Sequence, residues 1–145
     1  MSNDKGELLD VVALRQLRGE IGGGFARILG YFREDGAASV ARIEDAIGKG
    51  DSAALVLPAH TLKGESRQFG ASRLAAAAEY IEMTARRLLE QRRDPEALVA
   101  EVEALRPLFE ATLAAIDREA GPPPAATARP VFGRRAAPAV QFGRA

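Results

Sequence analysis

His60 is the side chain in this sequence with the most distinctive chemistry, because the 145-residue chain has no other histidine and no cysteine. Lys63, Gly64 and Arg67 follow it at spacings of three, four and seven residues, and residues at these spacings share one face of an α-helix. Neutral imidazole is a competent nucleophile near pH 7. A lysine one turn away can supply positive charge to a phosphoryl group in transfer, and a glycine allows another surface to approach closely. The pattern predicts an exposed, nucleophilic histidine within a docking site.

The elements that position this histidine are predicted to be helices. The core must be built mainly from aliphatic side chains, since the chain has no tryptophan and few other aromatic residues, and its many alanines favour helix. Apolar residues recur at three- and four-residue spacing. They predict helices at residues 11–18, 20–33, 38–47, 52–69, 73–92 and 95–118.

Several residues are predicted to begin or interrupt these helices. Asp10, Asp51 and Ser72 are expected to be N-caps, and Asp35-Gly36 is expected to break the chain between the second and third helices. The glycines at 22–24 allow either a close approach between helices or a flexible helix start. Pro58 lies inside the histidine helix, where it either kinks that helix or begins a new one.

The predicted fold is all-α: an antiparallel four-helix bundle over residues 8–120, with an additional short N-terminal helix and a non-helical C-terminal tail. From Gly121 the composition changes to Pro, Ala and Arg, which predicts an extended tail at 121–145. The tail has four arginines and no acid, so its net charge is +4 and that of the remainder is −4. It repeats Phe-Gly-Arg at 132–134 and 142–144, which allows either a passive extension or a docking segment.

Composition excludes several classes of protein. No apolar run approaches the ~20 residues of a membrane helix, and the first residues do not resemble a signal peptide. The absence of cysteine fits a reducing cytoplasm, and a single histidine does not predict a metal site. The predicted bundle has no broad basic face, which argues against nucleic acid. We therefore expect a cytoplasmic monomer.

The wider motif resembles the histidine-containing phosphotransfer domain of bacterial phosphorelays, over roughly residues 8–118. The residues that carry this resemblance are His60, Leu62-Lys63-Gly64, Phe69-Gly70-Ala71, Leu74, Ile81-Glu82, Phe32 and Gly50-Asp51. The resemblance implies that His60 accepts a phosphoryl group from an aspartyl phosphate on a receiver domain and passes it to another receiver. It also implies that Mg²⁺ is held by the receiver and that this chain needs no cofactor of its own.

The resemblance further assigns roles to residues around His60. Lys63 and Gly64 belong to the site of transfer, whereas Arg67, Gln68 and Ala71 are expected at the docking surface. Glu82 either holds the second ring nitrogen of His60 or is an ordinary solvated helix charge. Glu65 and Arg67 depart from the family pattern, in which small residues are common at these positions, and a more selective partner is one interpretation.

Other functions fit the sequence less well. The chain is too short for a nucleotide-binding kinase domain and has no Gly-rich phosphate loop, so a stoichiometric phosphocarrier is predicted rather than an enzyme. A hydrolase with His60 as general base would need a serine or cysteine nucleophile and an orienting acid, and no such arrangement is visible. The remaining alternative is an adaptor bundle that binds a receiver or another signalling protein without being phosphorylated.

Overall fold

The fold is helical throughout the residues that the structure describes. The computed structural model describes residues 7–120, and this range contains no strand. The helices are α1 (Val11–Ile21), α2 (Phe25–Gly48), α3 (Ser52–Gln68), α4 (Ser72–Glu90) and α5 (Val99–Ala120). The predicted tail, residues 121–145, lies outside the described residues. The predicted boundary at residue 120 and the role of the tail therefore stay predictions.

Helices α2 to α5 form an antiparallel four-helix bundle, as predicted. Helix α3 packs against α2 and α4, and α5 completes the ring by contacting the same two helices. The ion pairs between α2 and α5 show their opposite directions, because Arg33 pairs with Asp117 and Glu44 pairs with Arg106. The connections from α2 to α3 and from α3 to α4 are short, and short connections place consecutive helices side by side.

The predicted break at Asp35-Gly36 is wrong, because α2 continues through both residues to Gly48. Gly36 is buried, and a Cβ at this position would lie 2.5 Å from Cε1 of Phe109 on α5. The glycine therefore allows two helices to approach each other closely and does not end one. Most of the two predicted helices at 20–33 and 38–47 belongs to the single helix α2. The bundle therefore consists of α2, α3, α4 and α5.

The three consecutive glycines form the connection between α1 and α2. Helix α1 continues past residue 18, where its end was predicted, to Ile21, and Gly22–Gly24 form one 3₁₀ turn. Gly22 has φ 62°, in the left-handed region that favours glycine. A Cβ on Gly22 or Gly23 would meet no atom within 4 Å. A close approach between helices is therefore wrong as the explanation for Gly22 and Gly23, whereas a flexible helix start stays a prediction.

Two of the three predicted N-caps are confirmed. Asp10 accepts a hydrogen bond from the Ala13 amide, and Asp51 accepts one from the Ala54 amide, each at 3.0 Å. The prediction for Ser72 is wrong, because Ser72 is already the first residue of α4. Its hydroxyl is directed back to the Gly70 carbonyl, at 3.4 Å.

The histidine helix is continuous. Pro58 is buried inside α3, so the alternative in which a new helix begins at Pro58 is wrong. Helix α3 ends at a turn where Gly70 has φ 70°. The Gly70 carbonyl accepts a 2.7 Å hydrogen bond from the Asp10 amide at the start of α1. Helix α1 is thereby attached to the α3–α4 turn, at one end of the bundle.

The core holds α3 in place through aliphatic and aromatic packing. Phe32 on α2 stacks on Phe69 at the end of α3, with ring centroids 4.8 Å apart, and Phe25 and Phe109 contact this pair edge-on. Each aromatic pair adds about 0.5–1.5 kcal/mol beyond burial of its area. The largest fully buried side chains are Leu14, Phe32, Val40, Ile43, Leu55, Leu62, Phe69, Leu74, Ile81, Leu98, Leu105 and Ile116.

Candidate functional site

His60 lies on the outer face of α3, as predicted. The inner face of this helix buries Leu55, Ala59 and Leu62, whereas the His60 side chain is 56% exposed. The periodicity of α3 alone fixes this arrangement, because positions 55, 59 and 62 share one face and position 60 lies about 100° away from position 59. The imidazole is therefore accessible to another protein.

Glu82 on α4 contacts the ring of His60. Its Oε2 lies 3.0 Å from His60 Nδ1, and its side chain is only 3% exposed. The Lys63 ammonium lies 2.7 Å from Oε1. Arg86 contacts Oε2, the same oxygen as His60, with its Nε at 3.2 Å and its Nη2 at 2.9 Å. One buried carboxylate thus joins α3 and α4 and contacts three nitrogen-bearing side chains.

The protonation state of Glu82 follows from these contacts. Burial by itself raises the pKa of the Glu82 carboxyl, but hydrogen bonds from Lys63, Arg86 and His60 outweigh burial and lower this pKa to about 2. The ionised carboxylate has no proton to donate, so His60 Nδ1 must donate in the 3.0 Å contact. In a neutral ring, Nε2 then carries the lone pair and is the nucleophilic nitrogen.

Lys63 differs from its prediction. The sequence placed its ammonium on an open surface beside His60, but its side chain is only 14% exposed and contacts Glu82. A buried carboxylate needs a compensating charge, and Lys63 supplies one of the two cations that contact Glu82. The lysine therefore contributes to the structure of the site as well as to its positive charge.

The predicted docking residues separate into exposed and buried positions. Gly64 and Gln68 are exposed, and Arg67 is 56% exposed, with its guanidinium 2.9 Å from Glu79 on α4. Ala71 is completely buried. A buried side chain cannot contact a partner, so the docking prediction for Ala71 is wrong, because the turn after α3 directs this residue into the core.

Sequence similarity assigns this site to a family. The sequence profile of the Hpt domain matches residues 27–119, which include every site residue described above. The chain belongs to the Hpt domain family. Its structure is similar to the crystal structure of histidine-containing phosphotransfer protein B (HptB) from Pseudomonas aeruginosa PAO1, with a TM-score of 0.68 and 27% identity. That similarity covers 79% of this chain and 95% of the HptB chain. No curated protein sequence matches the chain.

Hpt domains are phosphocarriers that transfer phosphoryl groups through histidine in phosphorelays, and they generally interact with receiver domains. Within residues 7–120, no three His, Asp or Glu side chains are grouped so that they could hold a metal ion. No helix in the same range is both long enough and apolar enough to cross a membrane.

Two features near His60 were not predicted from the sequence. Arg86 was not assigned a role, although it follows Glu82 at the i,i+4 spacing that brings helix side chains together. Leu57 is 71% exposed and lies one turn before His60 on α3. The three-residue spacing from Leu57 to His60 was a signal that both side chains lie on the exposed face of α3. It was missed because an exposed leucine and a core leucine look alike in the sequence.

Proposed function

We propose that His60 accepts the phosphoryl group from an aspartyl phosphate of one receiver domain and transfers it to an aspartate of another. The observation that supports this most directly is the pairing of an exposed imidazole with a buried, ionised Glu82. That pairing leaves Nε2 as the nucleophile on the outer face of α3. Family membership supports histidine phosphotransfer in general, and the geometry supports His60 as the residue that performs it.

The proposed step is balanced without an added acid or base. The Nε2 lone pair forms the N–P bond while the bond from phosphorus to the aspartyl oxygen breaks and leaves a carboxylate on the donor. The ring keeps its Nδ1 proton and becomes positively charged. Glu82 Oε2 stabilises this charge through the existing hydrogen bond, because an ionised acceptor strengthens the bond. Transfer to the next aspartate reverses the same changes and regenerates a neutral ring.

Positive charge near the moving phosphoryl oxygens is the other requirement of this chemistry. Lys63 is one turn after His60 and retains further N–H donors beyond its contact with Glu82. We assign it this electrostatic role. The Mg²⁺ ion that phosphoryl transfer needs would be supplied by the receiver domain.

The docking surface is proposed to consist of the exposed residues along α3. Gly64 would allow the receiver backbone to approach, since a Cβ there would meet no atom of this chain within 4 Å. Gln68 would contact the partner further along the helix. Arg67 would select among receivers by exchanging its exposed ion pair with Glu79 for an acidic group on the partner, because surface pairs are worth only about 0–1 kcal/mol.

The proposal is tested by incubating the protein with ³²P-labelled, phosphorylated receiver domains in Mg²⁺. We expect label to move to the native protein and not to a His60→Gln variant. The labelled protein should keep its label in base and lose it in acid, as a phosphoramidate does. Acid-stable label, or label on His60→Gln, would contradict His60 as the acceptor.

The same experiment separates the phosphocarrier from the adaptor. A receiver that binds the native protein tightly but never transfers label to it would support an adaptor bundle instead. Arg67→Ala provides a second comparison, in which we expect the relative rates among receivers to change while thermal stability stays close to native. Identical rates for every receiver in both proteins would remove the selectivity role of Arg67.

A further inference from the structure

Arg86 makes the least expected contact in the site. Its guanidinium donates twice to Glu82 Oε2, at 2.9 Å and 3.2 Å, and this is the oxygen that His60 Nδ1 contacts at 3.0 Å. The arginine is 51% exposed, so it is not needed to fill the core. Arginine and histidine therefore share one acceptor atom of one buried carboxylate.

A carboxylate beside a histidine has two opposing effects on phosphotransfer. It orients the ring by accepting the Nδ1 proton, but its negative charge also favours the imidazolium form. Imidazolium has no lone pair on Nε2 and cannot attack phosphorus. A carboxylate that only orients the ring must therefore have its charge balanced by other groups.

The described contacts more than balance the carboxylate charge. Glu82 carries one negative charge, and Lys63 and Arg86 each carry one positive charge in contact with it. With a neutral His60 the cluster has a net charge of +1, and a protonated ring would bring it to +2. Without Arg86 the same cluster would be neutral before protonation and +1 after it, so adding the proton would be easier.

We propose that Arg86 is a positioning residue for the acceptor histidine: its charge gives the Glu82 cluster a net positive charge, so that Glu82 orients the His60 ring while a proton on Nε2 is disfavoured. This inference rests on the proposed function of His60. It adds a residue whose guanidinium contacts Glu82, the carboxylate that holds the His60 ring.

The first measurement uses the isolated protein and needs no receiver. Because His60 is the only histidine in the chain, ring ¹⁵N NMR reports its protonation without assignment ambiguity. In Arg86→Gln we expect a larger protonated fraction than in the native protein at pH 6 to 7. Arg86→Lys keeps the charge and loses the guanidinium fork, so its protonation curve should lie close to native. Arg87→Gln removes an exposed charge from the next position of α4, which faces about 100° away, and should match native.

The second measurement follows label transfer from one phosphorylated receiver as a function of pH. At pH 6 we expect Arg86→Gln to be slower than native by roughly three-fold or more, since one nearby charge changes a protonation equilibrium by that order. The ratio of the two rates should approach one by about pH 8.5, where a histidine ring is normally neutral. Circular dichroism checks that each variant is folded.

The outcomes distinguish this inference from the proposed function. Unchanged ring protonation in Arg86→Gln overturns the inference, and so does an Arg86→Lys curve that matches Arg86→Gln, because charge would then not be the cause. Failure of the native protein to take label from any receiver overturns the proposed function. The ring measurement still decides in that case whether Arg86 controls the protonation of His60.

Discussion

At the scale of single residues, Glu82 determines the state of the site. Among residues 7–120 it is the one buried charged side chain, since the other buried polar residues are serines and threonines. It stays ionised because two cations and the His60 ring contact it. Buried charges are tolerated when paired and hydrogen-bonded. The orientation of the exposed His60 ring therefore depends on an interaction that also joins α3 to α4.

We predict that Glu82 makes the stability of the protein sensitive to acid. Its pKa is about 2 in the folded protein against an ordinary value of 4.5, so its contribution to stability is fully present above pH 4.5. That contribution is lost as pH falls from 4.5 through about 2, and its size is on the order of 3 kcal/mol. Urea unfolding at pH 7 should show Glu82→Gln less stable than native, and the difference should shrink between pH 4.5 and 2.

The comparison between native and variant is essential here. The pKa of Glu65 is raised by burial and by the charge of Asp35, so Glu65 favours the folded protein as pH falls and partly opposes Glu82. The matched control is Glu79→Gln, which removes an exposed pair with Arg67 and should cost no more than about 1 kcal/mol. A constant difference between Glu82→Gln and native across this pH range would contradict the assignment.

Gly64 allows stability and docking to be separated. A Cβ at this exposed helical position would have no neighbouring side chain or helix within 4 Å, so Gly64→Ala should stabilise α3 by about 0.5–1 kcal/mol. If a receiver approaches closely at Gly64, the added methyl group should obstruct it, and the same variant should transfer phosphoryl groups more slowly. The measurement pairs urea unfolding with the receiver assay. A variant that is more stable and equally fast would show that no partner approaches at this position.

At the scale of secondary structure, the long helix α2 shows that glycine does not always end a helix. Its 24 residues include Gly30 and Gly36, and only the second has a neighbour within Cβ contact, the ring of Phe109. Tertiary packing here overrides the intrinsic cost of a helical glycine, which is about 1 kcal/mol. The close contact between α2 and α5 follows from this one position.

Two of the three glycines of α2, Gly30 and Gly36, give a matched test. Gly36→Ala should be destabilising by about 1–3 kcal/mol, because the new methyl group would overlap the buried Phe109 ring. Gly30→Ala should be stabilising by up to about 1 kcal/mol, since nothing lies within 4 Å. Both are measured by urea unfolding at neutral pH. Equal effects of the two substitutions would contradict the close contact between α2 and α5.

At the scale of the whole molecule, an ion pair joins α1, the first described helix, to the end of α5, the last one. Arg15 on α1 pairs with Glu119 near the end of α5 at 3.5 Å, and Arg33 on α2 pairs with Asp117 at 2.8 Å. These pairs are exposed and individually weak, but they locate the end of α5 beside α1 and α2. Ala120, the last described residue, therefore lies at this end of the bundle.

We predict that deletion of residues 121–145 leaves the bundle intact. The buried core described here lies entirely within residues 9–116, so the truncated protein should keep the helical circular dichroism and the cooperative thermal unfolding of the full chain. A marked fall in melting temperature would show that the tail packs on the bundle.

The functional part of the tail prediction uses the same truncation. Label transfer is compared between the full chain, the truncated chain and a double variant with Phe132→Ala and Phe142→Ala, at low and moderate salt. A docking tail of charge +4 on a remainder of charge −4 should lose its effect as salt rises. Identical rates for all three proteins would identify the tail as a passive extension.

The sequence by itself determined the helical class, the bundle and the exposed face of α3. These follow from local periodicity, since the spacing of apolar residues around His60 already fixes which side of the helix faces water. Asp10 and Asp51 were also readable as caps, because a cap acts on amides only three residues away.

The tertiary structure decided the features that depend on contacts between distant residues. Whether Glu82 is solvated or holds the His60 ring depends on how α3 packs against α4, 22 residues along the chain. In the sequence Gly36 resembles a helix breaker, whereas in the structure it makes room for the ring of Phe109. Lys63 resembles a free surface cation in the sequence, whereas in the structure it pairs with Glu82. Local sequence encodes the conformation of each helix. The partner of a buried charge or of a glycine is set by packing across the bundle.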